Sequence, residues 1–171
     1  MGASVAVALA ADHPKAVDRL LVLDMATRPS SREGLVERLS HTPVVGQLLR
    51  HLALDQTVRD GYRNAFAPGF EVPDRVVEDF RAMTYSSYTQ AREGSVEFLE
   101  ERPLDERVEA LAVPALIVFG DRDRLTDPSD ARDYAATPRI GKETIAGAGH
   151  SPQVERPAET ADLIRRFARR N

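Results

Sequence analysis

The chain has no cysteine. Disulfides, thiolate metal sites and a cysteine nucleophile within these residues are therefore excluded, and the composition suits a reducing compartment, so the expected location is cytoplasmic. An excess of positive charge is also missing. The 23 Lys and Arg stand against 27 Asp and Glu, a net charge of −4, which is not the electrostatic footprint of a nucleic-acid binder. No apolar run approaches the roughly 20 residues needed to cross a membrane. No Gly-x-Gly-x-x-Gly follows a strand-like segment, which argues against a dinucleotide-dependent dehydrogenase; no cofactor and no metal are expected. Two leader-like features fail on their details. Met1-Gly2 resembles a myristoylation start, but Ala6 stands where that pattern has Ser or Thr. The apolar run from Val5 to Ala11 lacks the preceding Lys or Arg of a secretory signal.

What is present is an ordinary globular composition, 42% hydrophobic and 29% charged over 171 residues. That is enough for one domain, which at this size buries about two-thirds of its unfolded surface. There is no internal repeat and no low-complexity tract. Gly2 to Asp12 is rich in Ala and Val on all faces and reads as a buried helix stopped by His13-Pro14. Val17 to Asp24 reads as a strand. Val113 to Phe119 is a continuous apolar run bounded by Gly120, the pattern of a parallel strand covered on both faces. Lys142 to Ala146 is a weaker strand. Asp127-Pro128 reads as a helix cap with proline at the first helical position. A last helix starts near Pro157, with Ala161, Ile164 and Phe167 on one face and Arg165, Arg166, Arg169 and Arg170 at its end, where cations suit the helix dipole.

Met25 to Ala112 carries no strand signal. Ser30 to Glu33 fits a capping box. Leu48, Leu52 and Leu54 point to a helix before Asp55, Val76 to Tyr85 to another capped by Asp74, and Ala91 to Leu99 to a third. A helical insert of this length exceeds a simple crossover and reads as a cap or lid. The expected fold is thus α/β, with a core formed by residues 1–26 and 110–171 and a helical cap over 27–109.

Chemistry is expected on the loops at the carboxyl ends of parallel strands. Asp123 lies in Gly120-Asp121-Arg122-Asp123, just past one strand. His150 lies in Gly147-Ala148-Gly149-His150-Ser151-Pro152, just past the next. Their separation leaves room for one helix and one strand, so both side chains emerge on neighbouring loops at one edge. Singly, each is an ordinary turn residue. Together and in this order they form an acid and base pair, in which the carboxylate fixes the imidazole tautomer and stabilises the imidazolium.

These segments, extended to Arg124-Leu125 and through Gln153-Val154-Glu155-Arg156-Pro157, resemble the acid and histidine segments of the α/β-hydrolase superfamily. Met1-Gly2-Ala3-Ser4-Val5-Ala6 through His13-Pro14 resembles the end of that family's Gly-x-Ser-x-Gly elbow and the helix after it. The resemblance implies that Asp123 is the triad acid, that His150 is the base, and that the helical insert is the cap. It puts the nucleophile at the position before Met1, outside this chain, and makes the Met1 backbone N–H an oxyanion donor. Each such donor is typically worth about 3 kcal/mol.

Ser4 is a weaker nucleophile candidate, because only three residues precede it and the elbow needs a strand feeding a strained turn. Ser151 reads as a loop residue. Met1-Gly2 after the nucleophile resembles the Ser-Met-Gly of esterases rather than the Asp-Trp of dehalogenases and epoxide hydrolases. The expected activity of the whole enzyme is hydrolysis of a small-molecule substrate, an ester, lactone or thioester, with this chain alone inactive. Tyr85, Tyr88, Phe66 and Phe70 are candidates to shape the pocket, although aromatics at helical spacing equally serve packing. The competing reading is a non-catalytic chain that binds a partner. It leaves the strand at Val17 to Asp24 with an unpaired apolar edge, a route to self-association.

Overall fold

The computed structural model describes residues 1–29, 43–134 and 137–169. The capping box read at Ser30 to Glu33, and Arg170, lie outside the described residues. Helix α1 (Gly2–Asp12) ends at His13. Pro14 cannot donate the next helical hydrogen bond, and the backbone tightens into a 3-10 turn, Pro14–Ala16. Strand β1 (Leu20–Leu23) follows. Between it and the next strand the described residues form only helical elements. These are α2 (Pro43–Leu52), α3 (Asp55–Tyr62), α4 (Asp74–Ala82), α5 (Tyr85–Glu101) and α6 (Leu104–Ala110), with a 3-10 turn at Arg63–Ala65. Strand β2 (Ala115–Gly120), a 3-10 turn at Pro128–Arg132, strand β3 (Ile140–Ile145), and helices α7 (Pro152–Glu155) and α8 (Pro157–Ala168) complete the chain.

The three strands form one parallel sheet in the order β1-β2-β3. β2 lies at its centre and every one of its residues is buried, which is why its sequence is a continuous apolar run. Its side chains alternate between two cores. Ala115, Ile117 and Phe119 join Leu20 and Val22 of β1, Val7 and Ala10 of α1, and Leu104 and Val108 of α6. Leu116 and Val118 face the other way and pack with Ile145, Leu163 and Phe167. The sheet is thus covered by helices on both faces, the arrangement that crossover connections between parallel strands produce. Fully burying each large aliphatic or aromatic side chain contributes about 1.5–3 kcal/mol.

Strand limits differ from the sequence reading for identifiable reasons. Pro114 carries no N–H to donate, so the ladder begins with Leu20 opposite Ala115, and Val17 and Val113 only lead into their strands. β3 starts at Ile140, two residues earlier than expected. Its pairing runs from Ala115–Ile140 to Gly120–Ile145, while Lys142, Glu143 and Thr144 are exposed, so no apolar pattern announces it.

The helices also need correcting. Val76 to Tyr85 is not continuous: α4 ends at Ala82, and Thr84 caps α5 by accepting the Ser87 N–H at 3.1 Å. Asp74 is in the first turn of α4 rather than its cap, which is Pro73. After Asp127-Pro128 comes the short 3-10 turn, not an α-helix, although Asp127 does cap it by accepting the Ser129 N–H at 2.8 Å. Helix α8 buries Thr160, Leu163 and Phe167, leaving Ile164 exposed, so its inner face is rotated by about one residue from the expected one.

Both outer edges of the sheet are unpaired among the described residues: β1 and β3 each bond only to β2. Beside β1, Met1 at the cap of helix α1 and Val5 and Leu9 within it are exposed at 49%, 70% and 47%, and their i, i+4, i+8 spacing makes one apolar stripe. Unpaired edges and apolar stripes both promote association. The 171-residue chain by itself is expected to run as a dimer or larger species in sedimentation velocity; a monomer that melts cooperatively would contradict this.

Candidate active site

The loops after β2 and β3 are drawn together by backbone geometry. The Arg122 N–H donates to the Ala148 carbonyl at 2.8 Å, and the Gly147 N–H donates to Asp121 Oδ1 at 2.6 Å. The approach is so close that a Cβ on Gly120 would lie 2.2 Å from the Gly149 carbonyl oxygen. Glycine is the residue that permits this crossing.

That crossing brings Asp123 and His150 into contact. His150 Nδ1 lies 2.9 Å from Asp123 Oδ2. An ionised carboxylate only accepts, so Nδ1 carries a proton, and in the neutral ring Nε2 keeps its lone pair. The Asp123 side chain is wholly buried, and that of His150 is 31% exposed, so the imidazole is the reachable member of the pair. Asp123 Oδ1 also accepts the N–H groups of Leu125 at 2.8 Å and Thr126 at 3.1 Å. The Thr126 hydroxyl donates to Oδ2 and stands 3.0 Å from His150 Nδ1. Burial by itself would push the Asp123 carboxyl up. The hydrogen bonds from His150 and Thr126, the charge of His150 and the Leu125 N–H outweigh it and hold the group below its ordinary value.

Glu155 holds the histidine loop from below. It is buried, and its Oε1 accepts the N–H groups of Gly149 at 2.9 Å and Ser151 at 3.2 Å, the two residues flanking His150. Its Oε2 accepts the Ala67 N–H at 2.7 Å. The segment from Arg63 to Ala67 is thereby fastened to the site. Arg124, next to Asp123, donates to the Arg63 carbonyl at 3.0 Å and the Phe66 carbonyl at 3.4 Å. A Cβ on Gly149 would lie 2.4 Å from the Ala67 nitrogen, so a second glycine is dictated by close packing.

The other sequence candidates separate clearly. Phe66 is buried and stacks on Phe70 with centroids 5.5 Å apart, which puts this aromatic pair beside the histidine loop. Tyr85 and Tyr88 are half-buried in α5. Ser4 is buried in α1 with its hydroxyl 3.1 Å from that of Ser95, a helix-packing residue. Ser151 precedes α7 and gives its N–H to Glu155. The Met1 amine donates to Met25 Sδ at 3.9 Å, beside Asp24 at the end of β1; burial lowers its pKa.

Three residues of this cluster had no role in the sequence reading. Thr126 is three residues past Asp123, the spacing at which a side-chain carboxylate reaches a backbone N–H. Asp24 ends a parallel strand just as Asp123 follows one. Glu155 has no local signal, because its partners include Ala67, which is far away in sequence.

Replacing Glu155 removes the acceptor for two buried N–H groups, of Gly149 and Ala67, and for the half-buried one of Ser151, at about 1–3 kcal/mol per buried group left unsatisfied. Glu155→Ala is expected to lower unfolding free energy by roughly 3 kcal/mol in urea titrations, and Glu155→Gln by less, because one acceptor survives. An unchanged midpoint in both would show that Glu155 does not hold the loop.

The sequence profile described as the Alpha/beta hydrolase family matches residues 1–163. Among curated proteins, monoacylglycerol lipase abhd6-A of Xenopus laevis is 26% identical over 175 residues, covering 98% of this chain and 52% of that protein. Among solved structures, a thermophilic esterase from Thermogutta terrifontis superposes with a TM-score of 0.66 at 24% identity, covering 98% of this chain and 61% of that one. A membrane phospholipase A, described as a bacterial virulence factor, gives 0.63 at 23% identity, covering 97% and 53%. The chain therefore spans about half the length of the curated relative it matches. No helix among the described residues is long and apolar enough to cross a membrane. The match over nearly the whole chain, on a three-stranded parallel sheet with helices on both faces, establishes that this chain belongs to the alpha/beta hydrolase family.

Proposed function

We propose that this chain supplies the acid and the base of a serine hydrolase acting on a small carboxylic ester, lactone or thioester. The observation that carries the reading is the 2.9 Å contact between His150 Nδ1 and Asp123 Oδ2. It leaves the other ring nitrogen as a general base on the more exposed side of a buried acid. On this reading His150 Nε2 takes the proton of the nucleophilic hydroxyl as the oxygen attacks the carbonyl carbon. Asp123 stabilises the imidazolium, and His150 then returns the proton to the leaving group. Water repeats the sequence to release the acid. The relatives, a lipase and an esterase among them, favour a carboxylic ester.

The nucleophile is read as the residue joined to the Met1 nitrogen in the whole enzyme, with the Met1 N–H as one oxyanion donor. Residues 27–109 are read as a cap over a core of residues 1–26 and 110–171. The bonds of Ala67 to Glu155 and of Arg124 to Arg63 and Phe66 support this, because they tie the insert to both loops. The Phe66–Phe70 pair then lines one side of the acyl or alcohol subsite.

Sequencing the gene upstream of the Met1 codon is expected to give an in-frame Gly-x-Ser that ends there. An Asp in its place would move the chemistry to dehalogenase or epoxide hydrolysis. In the protein carrying that segment, His150→Ala and Asp123→Asn are each expected to lower kcat for p-nitrophenyl esters by about 10⁴-fold. Near-normal turnover in either variant would refute the assignment.

A further inference from the structure

A second carboxyl group lies against the pair. Asp24 follows β1 at the same edge of the sheet and is only 2% exposed. Its backbone has φ 44°, in the left-handed region that a residue other than glycine seldom adopts. Its backbone N–H donates to the Val118 carbonyl at 2.9 Å, and its Oδ1 accepts the Gly120 N–H at 2.7 Å. Its Oδ2 is fully buried and has no donor directed at it among the described residues. The Thr126 hydroxyl joins the two residues: it donates to Asp123 Oδ2 and stands 3.4 Å from the Asp24 carbonyl oxygen, and the Asp123 charge acts on the Asp24 carboxyl.

Two carboxyls in one dry site do not both ionise readily, and the distribution of donors decides which keeps its proton. Asp123 has four: the N–H groups of Leu125 and Thr126, the Thr126 hydroxyl and the His150 ring N–H. Asp24 has one, on Oδ1. The negative charge therefore belongs on Asp123. A proton on Asp24 Oδ2 turns its orphaned acceptor into a donor, while Oδ1 goes on accepting from Gly120 as a carbonyl oxygen.

We propose that Asp24 is a positioning residue for the Asp123–His150 pair: as a neutral carboxylic acid it donates a hydrogen bond to the Asp123 carboxylate and holds it facing the imidazole. The proposal rests on the reading of that pair as catalytic, but the contact it describes is measurable whether or not the protein turns over an ester.

The electrostatics agree with this geometry. Burial raises the Asp24 carboxyl to about 7 against the pull of the Gly120 N–H, with the Asp123 charge and hydrogen bond adding to the rise and His150 opposing it. Among the described residues Asp123 and His150 are the titratable groups acting on Asp24; the Met1 amine lies on the neighbouring Met25. The sign follows directly. Below about pH 7 Asp24 is protonated and donates; above it, two carboxylates face each other and that hydrogen bond is lost. Stability contributed by the bound proton is fully present below the ordinary carboxylate value and is lost as pH rises through about 7.

The test is a ¹³C NMR titration of carboxyl-labelled aspartates, with the Asp24 signal assigned by its loss in Asp24→Asn. Asp24 is expected to titrate near pH 7 in the unaltered protein, and its midpoint is expected to fall in Asp123→Asn, where the facing charge is gone. A midpoint at or below 4 would overturn the proposal, and so would a raised midpoint that Asp123→Asn leaves unmoved. Asp24→Asn, which keeps a donor, is expected to retain the His150 Nδ1–H resonance bonded to Asp123, whereas Asp24→Ala is expected to broaden or lose it. Equal resonances in both variants would also overturn the proposal. If His150→Ala leaves ester turnover intact while Asp24 titrates as expected, the catalytic reading fails and the carboxyl pair stands.

Discussion

Everything distinctive in this chain turns on how closely the loops after β2 and β3 approach each other. Gly120 passes against the carbonyls of Ala148 and Gly149 with no room for a side chain. At that distance the Asp123 carboxylate meets the His150 ring, and the Arg122 and Gly147 N–H groups find acceptors across the gap. A bulkier residue at either glycine would separate the loops by more than a hydrogen bond spans. The chemistry proposed for the pair thus depends on a packing constraint in the backbone before it depends on any titration.

Around that contact the polar groups are sorted by sign of need. Donors converge on Asp123 and keep it ionised despite its burial. Glu155 is an acceptor among backbone N–H groups and fixes the residues on either side of His150. Asp24, which feels the Asp123 charge, is short of donors and holds its proton more tightly. Three buried carboxyls therefore have three different surroundings, and only one of them is set to carry charge next to the imidazole. The same Glu155 reaches Ala67, so the helical insert and the histidine loop share one anchor.

Much of this was legible in the chain itself. The apolar run that became β2 showed its burial on both faces, and Gly120 and Gly149 flagged the two turns that carry Asp123 and His150. The family resemblance was readable from those same segments. What escaped was long-range or lacked contrast. β3 lies beside β2 with three exposed polar residues, so backbone pairing rather than hydropathy defines it. The break between α4 and α5 hinges on one threonine hydroxyl. Asp24 reads only as the last residue of the strand from Val17, because its environment comes from residues about a hundred positions away, which no local pattern encodes.

The central claim is that His150 is held by Asp123 through Nδ1 with Nε2 free. The most direct measurement is ¹⁵N NMR of the histidine side chains, followed through a pH titration and read in the neutral form of the ring. The account predicts a His150 tautomer protonated on Nδ1, with a low-field Nδ1 proton that Asp123→Asn removes. A His150 ring protonated on Nε2, or one exchanging freely between tautomers, would contradict it.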